Sequence, residues 1–268
     1  MVNNSASPLE KMMIQWCEDG AEVALRHHRR TGELAFKYAS EAVTEADGEI
    51  ETLLRSRIGA AFPDDLIVGE EMGGPADGNI PENARVWQID PIDGTLNYAL
   101  GMPNYCISLA LLQGEKVLAA CIHQPATGDV FCAEAGRGAR LNGQKMSVST
   151  DRELKDSIVS MHLKKQGLVM QDPQLLHTLA SAPMRLRRCG AVALEMAWVA
   201  AGSCDLLVAS FKGKIHPWDV AAGLLLVEEA GGVAVDFQGS PYAMNGPEMM
   251  VGSPRVARQM TGLFSASS

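Results

Sequence analysis

The 268-residue sequence has no stretch approaching ~18 uninterrupted apolar residues, and its start, Met1 to Pro8, lacks the basic segment and apolar run of a secretory signal. Those absences argue against membrane spanning and secretion, and for a cytoplasmic chain. There is no C-x-x-C pair: Cys17, Cys106, Cys121, Cys132, Cys189 and Cys204 are scattered, mostly in apolar runs, with no histidine at ligand spacing. They are expected to be reduced core residues. Positive charge is not in excess either. The formal net charge of -9 would repel a nucleic-acid backbone, and the run His27-His28-Arg29-Arg30 reads as the solvated end of an N-terminal helix. No Gly-x-Ser-x-Gly occurs, and His123, His162, His177 and His216 match no zinc or triad pattern. Gly136-Arg137-Gly138 lacks the full dinucleotide fingerprint and reads as a turn. No repeat, heptad run or low-complexity linker interrupts the chain. What remains is ordinary globular composition, 47% hydrophobic and 21% charged, long enough for one core or two packed subdomains.

The apolar spacing of Leu9, Met12, Met13, Trp16 and Val23 predicts an amphipathic helix over 9–25, ended near Gly32. Thr44 with Asp47 announces a second helix carrying Ile50, Leu53, Leu54 and Ile58, stopped by Pro63 before a short strand, Leu66-Ile67-Val68. From Arg85 to Ala133 the texture is β, with strands at 86–89, 105–112, 117–123 and 130–133 and hairpin turns between the last three. After Ser147 strands and helices alternate: strands at 157–161, 185–188, 205–209, 233–236 and 249–251, helices at 173–181, 191–201, 219–230 and 254–263. Two tightly joined subdomains are expected, 1–148 of α+β type and 149–268 of α/β type.

Chemistry concentrates in three places. In Trp87-Gln88-Ile89-Asp90-Pro91-Ile92-Asp93-Gly94-Thr95 an apolar strand runs into two aspartates. Hard carboxylate oxygens suit magnesium, and Asp90 and Asp93 across a turn could grip adjacent ions with the Ile92 carbonyl between them. Gly94 permits close backbone approach, and a helix starting near Thr95 would offer amides to phosphate oxygens. Leu66-Ile67-Val68-Gly69-Glu70-Glu71 is a second apolar strand ending in acids, for which an exposed acidic loop is the alternative. In Pro217-Trp218-Asp219, Asp219 opens a helix, and N-capping alone would explain it. Together these acids would repel strongly unless divalent cations stood among them. Asp47 is explained either as a capping acid or as a carboxylate paired with the Thr95 hydroxyl to orient and deprotonate water.

These residues resemble the inositol monophosphatase family, lithium-sensitive, magnesium-dependent phosphatases related to fructose-1,6-bisphosphatase. Asp90-Pro91-Ile92-Asp93-Gly94-Thr95 resembles its defining motif and Gly69-Glu70-Glu71 its upstream acidic motif. Trp218-Asp219-Val220-Ala221-Ala222-Gly223 with Glu229-Ala230-Gly231-Gly232 resembles its C-terminal signature, and Val43-Thr44-x-x-Asp47 also fits. The resemblance implies a layered αβαβα sandwich, commonly a homodimer. It implies that Glu70, Asp90, Asp93, Asp219 and the Ile92 carbonyl bind two to three magnesium ions. Asp93, Gly94 and Thr95 would hold the phosphate, and Thr95 and Asp47 with Glu70 would activate water. Gly190, Ala191, Val192 and Asp219 would face the substrate, and Lys37 falls where the family often has a lysine on a mobile loop. Animal members place a glutamate where this chain has Ala209-Ser210-Phe211-Lys212-Gly213-Lys214, with no acid. Lys212 or Lys214 could instead favour an additional anionic group. The substrate implied first is inositol monophosphate. Histidinol phosphate, a nucleotide 3'-phosphate and a sugar bisphosphate are alternatives, since the metal corner recognises only the phosphate. A regulatory protein contacting RNA or a polymerase through the same fold is the alternative of another class.

Overall fold

Ser7 accepts the Glu10 amide at 3.0 Å, and Pro8 follows with no amide to satisfy, so α1 (Pro8–His27) begins where the apolar spacing begins. The computed structural model describes residues 6–28, 35–38, 41–75, 79–164, 168–211, 213 and 215–267. After α1 come β1 (Ala35–Tyr38), β2 (Glu41–Val43), α2 (Glu45–Ala61), β3 (Leu66–Gly69), β4 (Arg85–Asp93) and α3 (Thr95–Ala99). Next are β5 (Cys106–Gln113), β6 (Lys116–Gln124), β7 (Asp129–Glu134), β8 (Ala139–Leu141) and β9 (Gln144–Lys145). A 3-10 turn at Leu154–Asp156 leads to β10 (Ile158–Leu163), α4 (Leu168–Gln171), α5 (Pro173–Ser181), β11 (Arg185–Arg187) and α6 (Val192–Ala200). The chain continues through β12 (Leu206–Ser210), α7 (Pro217–Glu229), β13 (Val233–Val235), β14 (Glu248–Gly252) and α8 (Pro254–Ser267).

Strands β3 to β9 form a seven-stranded sheet in sequence order, parallel only between β3 and β4. The second sheet has five strands in the order β11-β10-β12-β14-β13, with β11, β10 and β12 mutually parallel. The two-residue period of each strand assigns its faces. On β5, Ile107, Leu109 and Leu111 pack with α1 and α2, while Cys106, Ala110 and Leu112 join the core built around α6 and α7. On β12, Leu207 and Ala209 face that same core, while Leu206 and Val208 meet α5 and α8. The layers are therefore α1/α2, the large sheet, α6/α7, the small sheet and α5/α8. This is the expected αβαβα sandwich. Among the described residues, no helix is long and apolar enough to cross a membrane.

Expectation and structure differ at several points. The hairpin β1–β2, the strands β8 and β9 and the helix α4 have no counterpart in the sequence reading, because each is too short to show a period. Lys37, expected on a loop, lies on β1. His28 is not a solvated helix end. Its ring stacks on Tyr98 at 5.3 Å and lies 5.2 Å from Tyr105, while Arg26 and His27 pair with Glu49. Arg29 and Arg30 lie outside the described residues. All six cysteines are free, and Cys189 alone of them is only half-buried.

The middle layer depends on α6 and α7 touching closely. A Cβ on Gly223 of α7 would stand 2.6 Å from the Met196 Cβ of α6, so no larger residue fits there. Gly223→Leu is expected to cost about 1–3 kcal/mol by overpacking, read as a lower urea midpoint. An unchanged midpoint would mean that the two helices can part freely.

Candidate active site

In the parallel pair β3–β4, Gly69 lies opposite Ile89, and the Glu70 amide donates to the Ile89 carbonyl at 3.1 Å. The next residue on each strand is an acid, so this register sets Glu70 beside Asp90. The turn that follows is held from α2. The Glu51 carboxylate, fully buried, accepts the amides of Glu71 at 2.8 Å and Met72 at 3.1 Å and pairs with Arg55, which also donates to the Gly73 carbonyl. Gly69 has no side chain because the Glu51 carboxylate fills the place of its Cβ. Glu51 is not among the candidates that the motifs single out. It could have been found as a second acid, with Asp47, on the apolar stripe of Ile50, Leu54 and Ile58.

Asp90 and Asp93 do not flank a turn at a strand end, as the sequence suggested. Strand β4 continues through both. Asp90 lies opposite Ser108 and Asp93 opposite Cys106, three steps against two, so one extra residue forms a bulge at Pro91-Ile92. Proline has no amide for the ladder, which is why the irregularity falls there. Gly94 then takes φ 86°, and a Cβ on it would lie 2.8 Å from the Asn104 carbonyl oxygen and 2.9 Å from the Ala191 Cβ. Only glycine satisfies both demands. The Thr95 hydroxyl donates to the Ile92 carbonyl at 2.9 Å. It is not paired with Asp47. Asp47 Oδ2 instead accepts the Thr44 amide at 2.8 Å and hydroxyl at 2.7 Å. With five residues, α3 contributes little dipole, so any phosphate contact here rests on individual amides and the hydroxyl.

Asp93 joins the two halves of the chain. Its Oδ1 accepts the Val192 amide at 3.1 Å and its Oδ2 those of Ala193 and Leu194 at 2.7 and 3.2 Å, capping α6 from another element. Asn97 donates to the carbonyls of Asn104 and Cys189 at 2.7 and 2.8 Å. Glu195 accepts the amides of Cys189 and Gly190 and the Ser160 hydroxyl. Gly190, Ala191 and Val192 are thereby pinned against Gly94 and Asn97. Glu195 was legible as the one acid in an otherwise apolar helix, whereas Asn97 carried no signal. Asp219 sits at the third position of α7, where its Oδ2 accepts the His216 amide at 3.2 Å. The Ser108 hydroxyl donates to the Trp218 carbonyl at 3.3 Å, which brings Asp219 to the strand pair that carries Asp90. Lys212 and Lys214 lie outside the described residues.

Electrostatics show how closely these acids meet. Burial, then the charges of Glu70, Asp93, Asp219 and Asp47, push the Asp90 carboxyl well above the usual carboxylate range. Burial and then Asp219 raise Asp93 to about 8 against the lowering effect of the α6 amides. Asp47 is raised to about 7 by burial, with Glu71 and Glu70 adding to it and its Thr44 hydrogen bonds opposing it. Asp47 Oδ1 and Asp90 Oδ1 are buried and, among the described residues, without a hydrogen-bond partner. Among the described residues, no three His, Cys, Asp or Glu side chains stand close enough to enclose an ion as they are. Mutually repelling anions held by separate backbone anchors are expected to stand apart in this way. The donor set consists of oxygens, which fits a hard cation such as magnesium rather than a zinc cage.

The comparisons with known proteins agree in direction. The model of the inositol monophosphatase family matches residues 6–266. An inositol monophosphatase of Dictyostelium discoideum is 32% identical over 251 residues, 92% of this chain and 91% of that one. The Nus factor SuhB of Xylella fastidiosa is 32% identical over 271 residues, 97% of this chain and 95% of that one. The solved IMPase of Thermotoga maritima has a TM-score of 0.83 at 29% identity, covering 96% of each chain.

A pH dependence follows from the buried acids. Asp47 and Asp93 have folded pKa values of about 7 and about 8 against an ordinary 3.8, so between those limits the folded, cation-free chain holds protons that the unfolded chain has released. Their contribution to stability is full at the acid end and is lost as pH rises through the folded values. The thermal midpoint in EDTA is expected to fall from about pH 5 to about pH 8, and magnesium to offset the fall. A midpoint in EDTA that climbs steadily to pH 8 would contradict the burial and repulsion of these acids.

Proposed function

The chain belongs to the inositol monophosphatase family, and from that membership we propose that the carboxylate corner hydrolyses a small phosphate monoester with magnesium as its working cation. The chain is a phosphoric monoester hydrolase by class. The observation that carries the site assignment is the burial of Asp47, Asp90 and Asp93 within electrostatic range of Glu70 and Asp219. A fold keeps such mutually destabilising acids where a cation is to be held.

Glu70, Asp90, Asp93, Asp219 and the Ile92 carbonyl would hold the magnesium. Magnesium held there would supply charge to neutralise the acids, to acidify a water and to stabilise the departing alkoxide. The amides of Gly94 and Thr95 bind phosphate oxygens. Asp47 Oδ1 has no hydrogen-bond partner among the described residues and belongs to a carboxyl raised to about 7, so it suits receipt of a proton near neutral pH. Glu70 is within electrostatic range of it, and the Thr95 hydroxyl would have to turn from the Ile92 carbonyl to complete the relay. Water attacks phosphorus in line as the ester P–O bond breaks, its proton passes to Asp47, and the alkoxide takes a proton from solvent and departs along Gly190, Ala191 and Val192. Inositol monophosphate is the reference substrate, as the name of the Dictyostelium discoideum relative suggests.

A second reading rests on the similarity to the Nus factor SuhB of Xylella fastidiosa, which spans 97% of this chain: a regulatory role in binding RNA or a polymerase. Asp90→Asn separates the two. It is a cleaner variant than one at Asp93, which also caps α6. Phosphate release from inositol 1-phosphate with magnesium is expected to fall at least about a hundredfold, and wild-type release to vanish in EDTA and return with magnesium. Full release in chelator, or from the variant, would contradict the proposal. A purely binding role would leave partner capture by the variant intact.

A further inference from the structure

Gln88 interrupts the apolar run of β4, Val86-Trp87-Gln88-Ile89, and is only 6% exposed. Its Oε1 is buried and, among the described residues, has no hydrogen-bond partner. An amide shut away from water in this state costs folding free energy, so its retention calls for a cause. Elsewhere the chain satisfies such groups. Gln124, also buried, donates to the Pro103 carbonyl at 3.1 Å, and the buried Ser108 and Ser160 hydroxyls donate to the Trp218 carbonyl and to Glu195.

The surroundings explain why no partner is at hand. On the adjoining strands Gln88 lies opposite Val68 of β3 and Ala110 of β5, neither of which has a polar side chain. Trp87 and Ile89 pack with α1 and α2, so the two-residue period places Gln88 on the other face of β4, together with Asp90. The bulge begins only after Asp90 and leaves this alternation undisturbed. Over that face lies α7. It crosses the large sheet from β5, where the Trp218 carbonyl meets Ser108, to the turn beyond β7, where Glu229 accepts the amides of Gly136 and Gly138 at 2.6 and 2.7 Å. Only its first turn, which carries Asp219, therefore lies toward β4. The Gln88 amide thus extends into the space between Asp90 and the start of α7.

Asp90 Oδ1, two residues on and on the same face, is likewise buried without a partner among the described residues. Two acceptors in succession that the chain leaves without donors need donors from outside it. A carboxylate can meet a cation directly, whereas a neutral carbonyl set one position back can meet the cation's water. Magnesium gives up its water reluctantly and keeps several molecules when carboxylates hold it. Each such water has protons to donate, and a buried water persists only where polar groups receive them.

We propose that Gln88 is a positioning residue for the hydrated cation, its Oε1 accepting a hydrogen bond from the water shell of magnesium held at Asp90. This rests on the magnesium reading of the site and adds a neutral residue to a set otherwise made of acids. Outer partners of this kind orient the groups around an ion and weigh on its affinity. The Gln88 amide burdens the cation-free fold and is useful once the cation is bound.

Two variants test this. Gln88→Met keeps the length of the side chain and removes both polar atoms, while Gln88→Glu keeps the acceptor and adds a charge. Magnesium binding is measured by isothermal titration calorimetry, and the thermal midpoint is measured in EDTA and with magnesium. For Gln88→Met the dissociation constant for magnesium is expected to rise about tenfold. Its midpoint in EDTA is expected to rise by about 2–4 °C, as an unsatisfied polar group leaves the interior. A merely structural glutamine would lower that midpoint and leave the affinity alone. Gln88→Glu adds an acid to those already repelling one another, so its midpoint in EDTA should fall while it binds magnesium at least as tightly as wild type. Equal affinity in Gln88→Met and wild type overturns the assignment, as does a lower midpoint of Gln88→Met in EDTA. Gln88→Glu binding as weakly as Gln88→Met overturns it too, since position 88 would then not face the cation. In each of these cases wild-type binding leaves the magnesium reading standing. Neither heat nor a midpoint shift from wild type with magnesium fails that reading and this inference with it.

Discussion

Carboxylates cannot share a buried volume unless something positive stands among them, and the centre of this molecule is arranged around that constraint. The chain meets it in two ways. Glu51 and Glu195 are fully buried and are compensated from within: Glu51 by Arg55 and the amides of Glu71 and Met72, Glu195 by the amides of Cys189 and Gly190 and the Ser160 hydroxyl. Asp47 and Asp90 are different. Each keeps a buried oxygen that no group among the described residues satisfies. Satisfied acids build the loops that present the site. The unsatisfied ones define where an added cation gains most.

Asp93 stands between these cases, and it makes fold and site inseparable. Three amides at the start of α6 converge on its two oxygens, yet Oδ1, with one of those amides, keeps accepting capacity. The same carboxylate thus anchors the segment Gly190–Val192 and remains able to meet a cation. Gly94 reinforces the junction, since its missing Cβ lets Ala191 approach. A cation drawn to Asp93 would therefore be coupled, through backbone amides alone, to the segment Gly190–Val192.

Much of this was legible in the sequence, and the reasons for the remainder are specific. The helices at 173–181 and near 8–27 were readable because their apolar spacing and proline starts agree. Glu70, Asp90, Asp93 and Asp219 were readable because each acid ends or interrupts an apolar run. The bulge at Pro91-Ile92 was not, because a strand end and a strand irregularity leave the same local pattern and only the register with Cys106 and Ser108 distinguishes them. The partner of Thr95 was not legible either. Pairing between side chains distant in sequence depends on rotamers, and here the nearer Ile92 carbonyl receives the hydroxyl. The place of the short strand β11 was not legible either, because Arg185–Arg187 lie some twenty residues beyond Leu163, and only parallel pairing sets them beside Ile158–Ser160.

That outer strand and the candidate site differ in how tightly the fold constrains them. The phosphate corner consists of strand-embedded acids and a glycine crowded by Asn104 and Ala191, so almost any substitution there disturbs packing as well as chemistry. The outer edge of the small sheet is built the other way. Its Arg185 and Arg187 side chains are exposed and sit on an outer strand three residues long, of which only Leu186 packs inward. Charge can change there at little cost to the core, since surface substitutions away from buried networks are mild. The candidate site is thus locked into the fold, while the outer strand of the small sheet carries exposed charges that the core does not need.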